Sequence, residues 1–244
     1  MEDFNKLLSR ALRVASEAAH EAGRLVVRER PSVRPEDITE KGPRDLVTRV
    51  DKASEALILD RIRAEFPGDA ILSEESGGGR PGDEFLWVVD PLDGTRNYVH
   101  HLPFFAVSIA YALRGRVEVG ATYDPVHDEL FTCKRNEGIW LNGVPIGVSE
   151  SADLGKAFIA TGFPSRLRDE ADGYLAQFSA VSKASAGVRR CGAATLDLAH
   201  VACGRFDAYW EPRLAPWDMA AGALMVDVAG GVVTTVSGGE WSVE

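Results

Sequence analysis

Apolar positions recur every three or four residues at the start of the chain. Phe4, Leu7, Leu8, Ala11, Leu12, Ala15, Ala18, Ala19, Ala22, Leu25 and Val26 share one face, which predicts a long amphipathic helix stopping near Pro31. Residues 31–45 (PSVRPEDITEKGPRD) are rich in Pro, Gly and charge and read as a loop. LVTRVD (46–51) is a short strand-like run, and helical spacing returns from Asp51 to Phe66. DAILSEES (69–76) reads as a strand running into Glu74-Glu75, followed by a Gly-rich loop at 77–82. Leu86-Trp87-Val88-Val89 is apolar at every position, as in a strand buried on both faces, and it leads straight into Asp90-Pro91-Leu92-Asp93-Gly94-Thr95.

Residues 104–148 change character. FFAVSIAYAL, RVEVGATYDP, ELFTCKR and GIWLNGVPIGVS are strand-like pieces split by turn signals, and they predict an antiparallel meander. KAFIATGF is a further strand, 169–184 a helix, TLDLAHVACG a helix ending at Gly204, and FDAYWEP a strand. PWDMAAGALMVDVAGG is a helix opened by Pro216 and closed by Gly230-Gly231, and VVTTVS (232–237) reads as a last strand. Helices and strands interleave around an antiparallel block, which argues for a layered α/β arrangement. The pattern holds no internal repeat or linker. A boundary near 150 would be a packed one, between an N-terminal α+β half (1–150) and a C-terminal α/β half (151–244) of one compact unit.

Composition narrows the function. The 244 residues are 45% hydrophobic and 26% charged, with a formal net charge of −10. Bulk electrostatics therefore gives no attraction to nucleic acid or to an anionic membrane, so an anion would be bound only through a local device such as a metal ion. No apolar run approaches the roughly 20 residues that span a bilayer. The N-terminus carries charges throughout and no apolar core, so no secretory signal is expected. Cys133, Cys191 and Cys203 show no paired spacing and suit reduced thiols in the cytoplasm.

Carboxylates stand at the edges of several predicted elements: Asp51, Glu74-Glu75, Asp90, Asp93 and Asp218. Singly, each is ordinary. Asp-Gly is a turn, and an acid opening a helix usually caps it or offsets its dipole. If these ends converge, however, the charges cannot all stay ionised without a counter-charge, and a hard divalent cation such as Mg2+ supplies one through oxygen ligands. Pro91 stiffens the turn so that Asp90, Asp93 and the Leu92 carbonyl can aim at one point. Gly94 permits close backbone approach, and Thr95 adds a hydroxyl.

The combination resembles a known family. DLVTRVD (45–51), ILSEES (71–76), WVVDPLDGTRNYVHHLPFFAVSIA (87–110) and PWDMAAG (216–222) are similar to the motifs of the inositol monophosphatase family of Mg2+-dependent, lithium-sensitive phosphatases, over roughly residues 4 to 236. The resemblance implies an αβαβα layered sandwich of the inositol monophosphatase and fructose-1,6-bisphosphatase type, commonly a homodimer, with two or three Mg2+ ions. It implies metal ligands at Glu74, Asp90, the Leu92 carbonyl, Asp93 and Asp218. Glu74 also counts as catalytic, beside a proton relay of Asp51 and Thr95. The Gly94-Thr95 backbone would hold phosphate, and Gly192, Ala193, Ala194 and Glu211, with Asp93 and Asp218, would line the leaving-group pocket. The implied reaction is hydrolysis of a small phosphate monoester by activated water.

Alternatives stay open. The same scaffold resembles phosphatases for histidinol phosphate, fructose 1,6-bisphosphate and 3′-phosphoadenosine nucleotides, and a regulatory protein could keep the fold and act by binding. The family continues past AGGVVTTVSG with another strand and a terminal helix, whereas this sequence stops at Glu244, so the edge of the second sheet is expected to differ. Lys41, Gly42 and Arg44 are candidates for a mobile flap. His100, His101 and His127 read as structural or turn residues, and Trp140, Tyr209 and Trp210 as packing.

Overall fold

The apolar run at 86–89 sets the centre of the computed structural model, which describes residues 2–42, 45–163 and 171–242. It lies in β5 (Phe85–Asp93), with Leu86 and Val88 in one core cluster and Trp87 and Val89 in another. A strand apolar at successive positions belongs in a sheet covered on both faces. β5 pairs in parallel with β3 (Ala70–Ser73) and antiparallel with β6 (Ala106–Leu113). The predicted meander continues through β7 (Arg116–Asp124), β8 (Glu129–Lys134), β9 (Gly138–Leu141) and β10 (Val144–Pro145). With β4 (Gly77–Gly78) on the far edge, the sheet order is β10-β9-β8-β7-β6-β5-β3-β4.

α1 (Glu2–Glu29) and α2 (Arg49–Glu65) cover one face. Ala11, Ala15, Ala18, Ala19 and Ala22 are fully buried, and their small side chains let α1 lie close on β6, β7 and α2. Phe4, counted on the same face of the pattern, is instead 49% exposed. α5 (Ala194–Ala202) and α6 (Pro216–Val228) cover the other face. Beyond them lies a parallel three-stranded sheet, with β11 (Phe158–Thr161) between β12 (Gly187–Arg189) and β13 (Ala208–Trp210). α4 (Ala171–Ala184) packs on it, its Tyr174 stacked on Trp210. The layers run α, β, α, β, α, as the resemblance implied.

Three expectations are corrected. Part of the predicted loop at 31–45 is a hairpin, β1 (Ile38–Gly42) with β2 (Asp45–Thr48). Its sequence carries little apolar alternation, the signal by which a half-buried strand is read. The strand-like run at 46–51 divides at Thr48, so Asp51 sits in the first turn of α2 rather than after a strand. The Thr48 hydroxyl accepts from Val50 N at 3.0 Å, and the Asp51 carboxylate accepts from Thr48 N at 2.8 Å, a reciprocal cap. VVTTVS forms no strand. It makes one isolated bridge, Thr234 to Glu240, and Val232 and Val236 are 85% and 73% exposed. β-propensity without a partner edge and a buried face does not make a strand.

Pro43, Arg44 and residues 164–170 lie outside the described residues, as does the Lys41 side chain, so the flap expectation and the first residues of the helix expected at 169–184 fall there. Among the described residues no helix is long and apolar enough to cross a membrane, and the three cysteines are free. His127 is a turn residue as expected: the buried Asp124 carboxylate accepts from Val126 N and His127 N at 2.8 and 3.2 Å.

Candidate active site

β5 does not end at Val89. Asp90 stands opposite Ser108 and Asp93 opposite Ala106, so three steps on β5 match two on β6 and the Pro91-Leu92 segment is a bulge. In a regular strand, residues three apart face opposite sides. The extra residue cancels that alternation and brings both carboxylates to one side, which explains the spacing of the two acids better than the turn read from the sequence.

Four carboxylates meet here. Asp90 is buried, and burial together with Glu74, Asp93 and Asp218 pushes it well above the usual carboxylate range. Of its neighbours Glu74 raises it most, through both its charge and its hydrogen-bonding contact. Glu74 follows β3, where its N–H donates to Val89 O at 3.2 Å. Asp93 is raised to about 6, chiefly by burial, and is held down by the Thr195 N–H and hydroxyl, which donate to its Oδ2 at 2.7 and 2.6 Å. Asp218 opens α6 and accepts from Ala215 N at 2.8 Å. It therefore caps its helix, yet burial, Asp93, Glu74 and Glu211 leave it raised well above the usual range. Among the described residues no three His, Cys, Asp or Glu side chains are already gathered as a finished metal cage. The acids are close neighbours that repel one another.

Asp51 is fully buried on α2. Its Oδ2 accepts from the Thr48 N–H and hydroxyl at 2.8 and 2.6 Å, and its Oδ1 lies 2.8 Å from Thr95 Oγ1. Burial raises its pKa against the pull of those bonds. The Thr95 hydroxyl is also 3.0 Å from the Leu92 carbonyl. Gly94, which precedes α3 (Thr95–Val99), has φ 82°, and a side chain there would meet Phe104 O at 3.0 Å and the Ala193 methyl at 3.2 Å. The bulge, the start of α3 and the start of α5 are thus pressed together.

Near the start of α5, Asn97 Nδ2 donates to Cys191 O at 2.9 Å and to Phe104 O at 2.7 Å, tying the Gly192 segment to α3. Ala193 and Ala194 are buried, so any contact with a ligand there falls to their backbone. The Glu211 carboxylate takes a short hydrogen bond from Tyr209 and is raised chiefly by burial. Tyr209, read from the sequence as packing, is therefore the partner of a candidate site acid. The Glu211 carboxylate also occupies the space over Gly162 where a side chain would stand.

Thr195 and Asp197 were not singled out from the sequence. Asp197, one turn into α5, is 1% exposed, and its Oδ1 has no hydrogen-bond partner among the described residues. Burial, then Asp93 and Glu211, push it up to about 8 against the pull of Cys191 and Arg190. The unfolded chain, at the usual 3.8, ionises over a pH range where the native chain keeps its proton. Stability therefore falls as pH rises between about 4 and 8, at about 1.4 kcal/mol per unit for this group, and is flat outside that window. Asp197→Asn is expected to gain stability over the parent chain in urea melts at pH 8 and to gain clearly less at pH 5. Equal gains at the two pH values would contradict this.

A sequence profile of the inositol monophosphatase family matches residues 7–244. The chain belongs to this family. It is similar to the Nus factor SuhB of Pseudomonas aeruginosa, 46% identical over 93% of this chain and 86% of that protein. Among solved structures it resembles the extragenic suppressor protein suhB of Bartonella henselae, with a TM-score of 0.90 and 41% identity over 94% of this chain and 89% of the other. It also resembles the inositol monophosphatase of Anabaena (Nostoc) sp. PCC 7120, with a TM-score of 0.86 and 43% identity over 96% of this chain and 87% of the other. The α/β layering matches these neighbours, and the chain carries a phosphatase scaffold of a metal-dependent family.

Proposed function

We propose that the protein hydrolyses a small phosphate monoester of the inositol monophosphate kind with Mg2+. The observation that carries this reading is the meeting of Glu74, Asp90, Asp93 and Asp218: burial and the neighbouring carboxylates hold Asp90 and Asp218 well above the usual range, and burial raises Asp93 to about 6. The donors are all hard oxygens, the set that Mg2+ prefers. These four carboxylates and the Leu92 carbonyl would hold two or three ions. Bound Mg2+ would neutralise them, acidify a water and stabilise charge on the phosphoryl oxygens. The Thr95 hydroxyl and Asp51 orient the attacking water, and Asp51, its pKa raised by burial, is placed to take the proton. The Gly94-Thr95 backbone would bind phosphate, while Gly192, Ala193, Ala194 and Glu211 would face the leaving group. Free thiols suit the cytoplasm, and the two sequence halves would act as one unit, as a homodimer.

The test is Mg2+-dependent phosphate release from inositol 1-phosphate, histidinol phosphate, fructose 1,6-bisphosphate and adenosine 3′,5′-bisphosphate. Fastest release from inositol 1-phosphate, inhibited by tens of millimolar Li+ (an order-of-magnitude figure for a weakly bound cation), is the expected result. Absence of release from all four would reject the reading. Gly162→Ala is expected to displace Glu211 and lower kcat/KM for inositol 1-phosphate by about tenfold or more, the loss of one charge-assisted hydrogen bond. Calorimetric Mg2+ affinity should not change.

A second reading comes from relatives named Nus factor SuhB, among them that of Pseudomonas aeruginosa, to which the chain is 46% identical over 232 residues. By this reading the protein also assembles with a transcription complex. Site variants without turnover that keep such binding would separate the two roles.

A further inference from the structure

Four polar side chains at the start of α2, those of Thr48, Asp51, Ser54 and Glu55, are buried, while Arg49 and Lys52 are exposed. Thr48 and Asp51 serve the Thr95 hydroxyl. Ser54 Oγ donates to Pro91 O at 2.6 Å, holding the bulge between Asp90 and Asp93. Glu55, four residues after Asp51, is 8% exposed and touches neither the acids nor Thr95 through any of its described hydrogen bonds. Its Oε1 accepts from Ser76 N and Ser76 Oγ, both at 3.0 Å, and takes a short bond from Ser73 Oγ. One buried carboxylate oxygen therefore gathers three donors that flank Glu74 on both sides.

That placement has a mechanical consequence. Glu74 stands just past the end of β3, where ladder pairing to β5 stops at Ser73 opposite Val89. Its own N–H reaches Val89 O, but the chain then turns into a Gly-rich segment with Gly77 at φ 67° and Gly78 at φ 114°. Glu55 closes the segment from Ser73 to Ser76 onto a rigid helix, with charge-assisted bonds that are stronger than neutral ones. The same helix holds Pro91 through Ser54, so Glu74 and the Asp90–Asp93 bulge are referenced to one scaffold.

We infer that Glu55 is a positioning residue which sets metal affinity by clamping the Ser73–Ser76 segment, and with it Glu74, to α2. This rests on the proposed metal site. Loss of a partner that orients a ligand costs about 10- to 100-fold in metal affinity. Glu55→Ala is therefore expected to weaken Mg2+ binding by about 10- to 100-fold in calorimetry without substrate. Glu55→Gln, which keeps an acceptor but not the charge, should weaken it by less. Turnover at saturating Mg2+ should stay within about threefold of the parent, because the clamp touches no reacting atom. Hydrogen exchange at the Ser76 amide should speed up in both variants.

Ser76→Ala, at an exposed position, should reproduce a smaller part of the affinity loss and serves if Glu55→Ala does not fold. If the parent chain binds no Mg2+, the metal site itself fails and the inference goes with it. If the parent binds Mg2+ and the folded variants bind within about twofold of it, the metal site stands and the role of Glu55 is overturned.

Discussion

Asp93→Asn is expected to lower kcat/KM for phosphate release by at least about 1,000-fold, about 4 kcal/mol of transition-state stabilisation. The chain should fold as before. Asp93 Oδ2 takes two bonds from Thr195, and an amide oxygen can accept both. The carboxylate already sits at about 6 because burial disfavours its charge, so a neutral side chain costs the native state little. What is lost is one negative charge beside Asp90 and Asp218, which the proposed cations would need. A ligand that binds only the native state raises the melting temperature, so added Mg2+ should stabilise the parent chain and stabilise the variant much less. A variant within tenfold of parental activity, or one stabilised by Mg2+ as strongly as the parent, would remove Asp93 from the set.

What could be read in advance followed from how local each signal was. The buried strand and its acids were legible because Leu86-Trp87-Val88-Val89 and Asp-Pro-Leu-Asp-Gly-Thr are contiguous. The bulge was not, since a register shift depends on β6, which lies a dozen or more residues further on. Asp51, Glu74 and Asp218 were legible as acids at element edges. The supports of the bulge, of Asp93 and of the segment around Glu74 were not: Ser54 bonds Pro91, Thr195 bonds Asp93, and Glu55 bonds Ser73 and Ser76, each across a long stretch of chain with no local signature. For Thr195 a weak clue existed, a hydroxyl in the first turn of a helix that opens directly after Gly192-Ala193. VVTTVS was misread for the opposite reason. Its β-branched run is a strong local signal that no partner strand answers in the fold.

Asp51→Asn and Thr95→Val are each expected to lower kcat by about 100- to 10,000-fold, the range for removing a positioned proton acceptor. The double variant should be no slower than the slower single one. The hydrogen bonds make the reason concrete. Thr48 donates twice to Asp51 Oδ2, so in Asp51→Asn the amide oxygen would stay with Thr48 and the NH2 group would turn towards Thr95. The Thr95 hydroxyl would then accept from position 51 instead of donating to it, and its own proton would go to the Leu92 carbonyl at 3.0 Å. Polarity along the relay reverses with almost no change in shape. Thr95→Val removes the same relay at its other end, so neither loss can be added to the other. Mg2+ affinity in calorimetry should fall little in Asp51→Asn, because Asp51 is engaged by Thr48 and Thr95 rather than by the other acids. Losses that multiply in the double variant would mean that the two residues act separately, and the proton path would have to be drawn elsewhere.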